Sequence, residues 1–200
     1  QGPEELLRNA DSAMYDAKEA GRNSYRFYQA EMTRRVQERL GLERSLRRAL
    51  ENREFEIWYQ PQVNLHSGRL LGAEALIRWR DNTRGLVPPD AFIPVAERTG
   101  LIIPIGAWVV DEVCAQVALW RREGWFDGRV AINVAAPQID RSDFIATLQD
   151  AMARHGTPPE ALEIEVTESF IMACADHAGA VLHAVQALGI TTAVDDFGTG

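Results

Sequence analysis

Glu74, Asn133, Glu165 and Asp195 share a local setting, in which a polar side chain sits in or just after a run of apolar, strand-forming residues. Glu74 lies in Leu70–Trp79, Asn133 between Ile132 and Val134, Glu165 between Ile164 and Val166, and Asp195 directly after Val194. A single acidic residue at a strand end is ordinarily a solvated terminus or a helix cap. Five such positions together strain that account, above all Asp195 and Asp196, because adjacent carboxylates repel unless a cation or a proton compensates. Hard oxygen donors with no histidine or cysteine among them favour Mg²⁺ or Mn²⁺ over zinc. Paired carboxylates can hold two such ions close together, an arrangement that activates a water and stabilises a leaving oxygen in phosphoester hydrolysis.

Strand alternation decides which side chains can meet. Side chains two apart share a face, so Glu74, Leu76 and Arg78 lie on one side of Leu70–Trp79, and Ala73, Ala75, Ile77 and Trp79 on the other. Phe55–Tyr59 and Leu70–Trp79 are joined through His66-Ser67-Gly68, a link too short for a helical crossover, so these two strands are expected to be antiparallel. Strands at Val130–Val134, Leu162–Val166 and Thr191–Asp195 then alternate with helices around Pro104–Arg122, Ser142–His155 and Asp176–Leu188. Such alternation implies parallel strands with right-handed crossovers, and polar residues near the strand ends would gather at the carboxyl-terminal mouth of a barrel.

Ahead of this region, Leu7, Ala10, Ala13, Met14 and Ala17 fall at helical spacing within Leu6–Ala20, and Gly21 supplies a stop. Tyr25, Phe27 and Tyr28 read as a short strand, and Glu31–Glu51 as a charged connecting helix with Val36, Leu40, Leu46, Ala49 and Leu50 as its buried positions.

Composition bounds the partners. The chain carries 29 acidic against 21 basic residues, a formal net charge of −8, which argues against binding DNA or RNA polymers through a basic face. An anionic ligand would need a metal ion or a few placed cations. Cys114 and Cys174 are far apart with no CxxC spacing, so a zinc site or disulfide framework is unsupported and both read as buried thiols in a reducing, cytoplasmic compartment. No apolar run reads as long enough to cross a bilayer. His66, His155, His177 and His183 fit turn or helix positions better than catalysis, and Trp58, Trp79, Trp108, Trp120 and Trp125 read as packing residues.

The ordered motifs resemble the EAL family. Tyr59-Gln60-Pro61 precedes Glu74-Ala75-Leu76, Arg78-Trp79 follows, and then come Phe92-Ile93-Pro94-Val95-Ala96-Glu97 and Gly100-Leu101-Ile102. Ile132-Asn133-Val134, Glu163-Ile164-Glu165-Val166-Thr167-Glu168 and Asp195-Asp196-Phe197-Gly198-Thr199-Gly200 complete the series. The stretch Ala10–Lys18 with Gly21-Arg22-Asn23 resembles the closing helix of GGDEF domains. The resemblance implies a division into residues 1–28 (end of a GGDEF domain), 29–52 (connecting helix) and 53–200 (the first part of an EAL domain). The implied fold is α/β, a modified TIM (β/α)8-type barrel with an antiparallel first strand, incomplete here because the family continues past this loop with three more strands carrying further site residues.

By the same resemblance, Glu74, Asn133, Glu165 and Asp195 would hold one of two divalent ions, with Asp195 bridging to a second ion also held by Asp196. Gln60, Leu76 and Arg78 would contact the substrate, and Glu168 would order the loop carrying Asp195 and Asp196, a cap for the helix after Ser169 being a nearly equal reading of Glu168 from the sequence alone. The implied activity is hydrolysis of cyclic di-GMP to linear pGpG by the complete domain, the truncated chain alone being inactive, with homodimerisation through the EAL domain. A catalytically inactive cyclic di-GMP receptor is the alternative, and a scaffold that binds no nucleotide leaves the acidic residues unexplained. Gly198 and Gly200 give the last loop conformational freedom, so metal and ligand are expected to order it.

Overall fold

The computed structural model describes residues 2–19, 24–173 and 175–195. The chain divides into two compact units, residues 1–48 and 49–200. In the first, helix α1 (Pro3–Glu19) buries Asn9, Ser12, Ala13 and Ala17, while Leu7 and Met14 are exposed. The small residues of that stripe permit close approach, and the Ser12 hydroxyl donates back to the Arg8 carbonyl at 3.0 Å and lies 3.3 Å from the Thr33 hydroxyl. Tyr25–Tyr28 is not a strand. It has no ladder partner among the described residues, and Tyr25 and Phe27 instead pair edge to face with ring centroids 5.6 Å apart.

Helix α2 (Ala30–Glu51) is the charged helix expected over Glu31–Glu51, supported by Glu31–Arg34, Arg34–Glu38 and Glu43–Arg47 pairs one turn apart. Leu46 and Ala49 are buried, whereas Leu40 is exposed.

The second unit is built on a mixed sheet. Strands β1 (Phe55–Val63) and β2 (Leu70–Asp81) form the antiparallel pair, and the short β3 (Gly85–Val87) folds back on the end of β2. In the β1–β2 turn the Asn64 carboxamide oxygen accepts from the His66 and Ser67 amides, each at 3.0 Å, and Gly68 takes a positive φ of 67° that a side chain would resist. The parallel part runs β2, β4 (Arg129–Asn133), β5 (Leu162–Thr167) and β6 (Thr191–Asp195), with β1 at the far side of β2.

Helices α3 (Pro89–Thr99) and α4 (Ile102–Arg122) connect β2 to β4. Helices α5 (Ala136–Arg141) and α6 (Phe144–His155), then a 3₁₀ turn at Pro159–Ala161, lead to β5, and α7 (Glu168–Ala173) and α8 (Ala175–Ala187) lead to β6. These are the helical crossovers that parallel pairing requires. The single helix expected over Ser142–His155 is α6 alone, started two residues later by Asp143, whose side chain accepts from the Ala146 amide at 3.1 Å.

The apolar face of the strands and one side of the helices form the core. Val130, Ile132, Leu162 and Ile164 are fully buried with Ile105, Val110, Val113 and Val117 of α4. Trp79, also fully buried, stands edge to face with Phe92 at 5.7 Å, and its indole N–H donates to Glu54 at 3.1 Å. Helix α4 corrects one expectation, since its 21 residues are long and apolar enough to span a bilayer. Its apolar side is packed in the core here, and Asp111 and Glu112 sit mid-helix. The Asp111 carboxylate pairs with Arg154 and lies 2.9 Å from the His155 ring nitrogen, giving that histidine a structural role. Cys114 is buried as expected, and Cys174 lies outside the described residues. Trp58 and Trp125 depart from the packing role, at 46% and 75% exposure.

Candidate functional site

Strand register brings the expected polar residues to one face. Glu74 pairs with Ala131, so Asn133, two residues along β4, lies on Glu74's side of the sheet. Asn133 in turn pairs with Glu165, and Glu165 pairs with Ala193, two residues before Asp195. Gln60 on β1 is the cross-strand partner of Glu74. The opposite side chains, Ala73 and Ala75 on β2, Ile132 on β4, and Ile164 and Val166 on β5, are buried. Apolar anchors on one face thus fix the direction of the polar residues on the other.

Asn133 Nδ2 donates to Glu74 Oε1 at 2.7 Å, spanning β4 to β2. Glu165 is half-buried, and its carboxyl is pushed up to about 7, first by burial and then by the negative charges of Glu74, Asp195 and Glu163. Among the described residues no three Asp, Glu, His or Cys side chains form a closed cage for a metal ion. The donor set still fits a hard divalent cation: the carboxylates and the carbonyl oxygen of the Asn133 carboxamide, whose nitrogen is bonded to Glu74, offer oxygen donors alone, and the charge crowding around Glu165 is what a cation would relieve. Asp196 and the residues to Gly200 lie outside the described residues.

A cavity of about 290 Å³ opens beside these strand ends, and its walls include Leu76, Arg78, Asn133 and Glu165. Glu97 of α3, Gln138 of α5 and Thr167 at the end of β5 also line it. Of these, Glu97 closes the Phe92–Glu97 motif and Thr167 lies within Glu163–Glu168, neither with a role that the sequence specifies, and nothing in the spacing singles out Gln138. Gln138 is buried and accepts from the Ala135 amide at 2.9 Å. A larger recess of about 930 Å³ belongs to the first unit and has no carboxylate among the described residues of its walls.

Arg78 donates through Nη1 to the Ile77 carbonyl at 2.9 Å, and its guanidinium carbon lies 5.2 Å from the centre of the Trp58 ring. Leu76 is half-buried opposite Trp58, and Gln60 is exposed. Glu168 opens α7 directly after β5, where a negative charge is favourable to the helix N-terminus. The structure therefore brings Gln60, Glu74, Leu76, Arg78, Asn133, Glu165 and Asp195 to one face of adjacent strands.

A family model described as "EAL domain" matches residues 43–200. The chain is 44% identical over 196 residues to the bifunctional diguanylate cyclase/cyclic di-GMP phosphodiesterase MucR of Pseudomonas aeruginosa, covering 98% of this chain and 29% of that protein. It is 40% identical over 195 residues to the cyclic di-GMP phosphodiesterase PdeR of Escherichia coli, again over 98% of this chain and 29% of the relative. Among solved structures, a MucR phosphodiesterase–c-di-GMP complex superposes with a TM-score of 0.77 at 42% identity, over 80% of this chain and 65% of that one. The EAL domain of Xanthomonas citri FimX in complex with c-diGMP gives 0.73 at 26% identity, over 83% of this chain and 64% of that one. The chain thus spans less than a third of the length of these two curated relatives.

Proposed function

The chain belongs to the EAL domain family, and from that membership we propose that the full-length protein hydrolyses one phosphodiester of cyclic di-GMP, giving linear pGpG. The observation that carries this reading is the convergence of Glu74, Asn133, Glu165 and Asp195 on one face of four adjacent parallel strands. The names of MucR and PdeR, which describe phosphodiesterases of this nucleotide, support it.

Glu74, Asn133, Glu165 and Asp195 would hold a Mg²⁺ or Mn²⁺ ion, and Asp195 with Asp196 a second. Bound there, the two ions would supply a Lewis acid for the phosphoryl oxygens and lower the pKa of the attacking water. The chain's own residues do the positioning. Asn133 holds the Glu74 carboxylate in place through its amide. Arg78 pairs with a phosphate oxygen, whose negative charge a planar guanidinium matches. Gln60 and Leu76 contact the nucleotide, and Glu168 orders the segment that follows β6.

The leading residues 1–28 read as the end of a GGDEF-type domain, 29–52 as the connecting helix and 53–200 as EAL domain. Similarity to MucR over nearly the whole chain supports an upstream cyclase-type domain in the same protein. By the family resemblance a homodimer is the proposed working form, which light scattering of the full-length protein tests.

The deciding experiment incubates the full-length protein with cyclic di-GMP and Mg²⁺ or Mn²⁺ and separates the products. Metal-dependent appearance of pGpG is the expected result. Tight binding of cyclic di-GMP without turnover would identify a receptor instead, and neither binding nor turnover would overturn both readings.

A further inference from the structure

Trp58 is an unusual exposed tryptophan. It lies on β1 two residues before Gln60, on the same face as Gln60 and Glu74, and it is 46% exposed. The antiparallel register sets Trp58 opposite Leu76 and Glu56 opposite Arg78, so the Trp58 ring reaches Arg78 diagonally across the pair. The guanidinium carbon of Arg78 sits 5.2 Å from the ring centre, within the range of a cation–π contact.

The indole is itself held. Its N–H donates to Glu56 Oε1 at 3.0 Å, and the same oxygen accepts from Arg80 Nη2 at 2.8 Å. Arg80, Glu56, Trp58 and Arg78 therefore form a continuous chain of contacts over one face of the β1–β2 pair. Arg78 is held at two points, by the Trp58 face near its guanidinium carbon and by the Nη1 bond to the Ile77 carbonyl. A long side chain that would otherwise sample many rotamers is thereby restricted before any ligand arrives.

The geometry points to Trp58 as a positioning residue for Arg78, one that fixes the plane and direction of the guanidinium and so sets affinity for the phosphate of the substrate. The inference rests on the reading of Arg78 as a phosphate contact given above. Trp58 acts through Arg78, and Glu56 acts through Trp58. An aromatic face is the requirement, so phenylalanine at this position keeps most of the effect while losing the bond to Glu56.

The test is a double-mutant cycle in the full-length protein, with kcat and KM for cyclic di-GMP measured at saturating Mg²⁺ for W58A, W58F, R78A and W58A/R78A. Loss of one partly exposed cation–π contact corresponds to a rise in KM of about two- to fivefold for W58A, with kcat held within about twofold. W58F should recover most of the wild-type KM, and W58A should add nothing once Arg78 is gone. An undiminished W58A effect in the R78A background would overturn the inference, because Trp58 would then be touching substrate or supporting the fold. W58A with wild-type KM, while R78A raises it, also overturns the inference and leaves the role of Arg78 standing. Wild-type KM in R78A removes the phosphate contact and the inference with it.

Discussion

Asn133 and Glu74 stand on neighbouring parallel strands, two positions out of direct register, and are joined by a 2.7 Å hydrogen bond from Nδ2 to Oε1. This bond fixes one carboxylate oxygen of Glu74 and leaves its other oxygen available. Because the bond is exposed to solvent, removing it costs the fold little, on the order of 1 kcal/mol or less. Replacing Glu74 by Ala in the full-length protein is therefore expected to abolish turnover of cyclic di-GMP and leave the thermal midpoint within a few degrees of wild type. Near wild-type turnover at saturating Mg²⁺ or Mn²⁺ would remove Glu74 from the site.

Arg78 shares the Glu74 face of β2 but lies four residues further along, beside Trp58 rather than beside Asn133. Arg78→Ala is expected to raise KM for cyclic di-GMP by about tenfold or more, the scale of one charge-assisted bond to phosphate, with divalent metal binding unchanged. Calorimetric titration of Mg²⁺ or Mn²⁺ into the variant checks this, and loss of metal binding along with substrate affinity would show that the role assigned to Arg78 is wrong.

Gly106 of α4 faces Gln138 of α5 so closely that an added Cβ would fall 1.9 Å from the Gln138 side-chain nitrogen. Gly106→Ala must displace a buried, hydrogen-bonded carboxamide, and is expected to destabilise the protein by about 1–3 kcal/mol. Gly179 of α8 has open space around its Cβ position, so Gly179→Ala should be neutral or stabilising by up to about 1 kcal/mol. Urea midpoints of the two variants test the contrast, and a Gly106→Ala protein as stable as wild type contradicts it.

Cys114 gives a pH dependence. Burial, opposed by the Thr157 contact and reinforced by the charge of Asp111, pushes its thiol up from 9.0 to about 11. The folded state thus keeps a proton that the unfolded state releases. The associated stability is complete below about pH 9 and is lost as pH rises towards about 11. Tyr59 is raised for the same first reason, burial, so it extends the loss to more alkaline pH. Stability measured from pH 8 to 10.5 should fall less steeply in Cys114→Ala than in wild type. Parallel pH profiles would show that the thiol does not contribute.

Much of the site was legible because the strands write it twice, once as a polar residue and once as the apolar neighbours that fix its direction. Asn133 between Ile132 and Val134 is the clearest case. What escaped was set by partners distant in sequence. The three residues of β3 are a strand only because they pair with Trp79, Arg80 and Asp81. Helix α3 contains Pro94, which reads as a break yet is tolerated within its 11 residues. The short helices α5 and α7 carry too few residues for a periodic signal. Tyr25–Tyr28 had the β propensity of a strand but no neighbour to pair with among the described residues. The contact between Trp58 and Arg78 depends on the register of a hairpin across a turn, which residue types alone do not specify.

The stepped register of the site also bears on how such a chain can vary over evolutionary time. Insertions in the helical crossovers leave every strand pairing intact, so length there is nearly free. A one-residue deletion inside β4 or β5 is different in kind, since it would turn Asn133 or Glu165 toward the helices and an apolar neighbour toward the polar face. A two-residue change would restore the facing but move the group about 6.6 Å along the strand, out of reach of its neighbours. Drift in this domain is thus expected to accumulate as loop-length polymorphism, with the strands inherited as indivisible blocks.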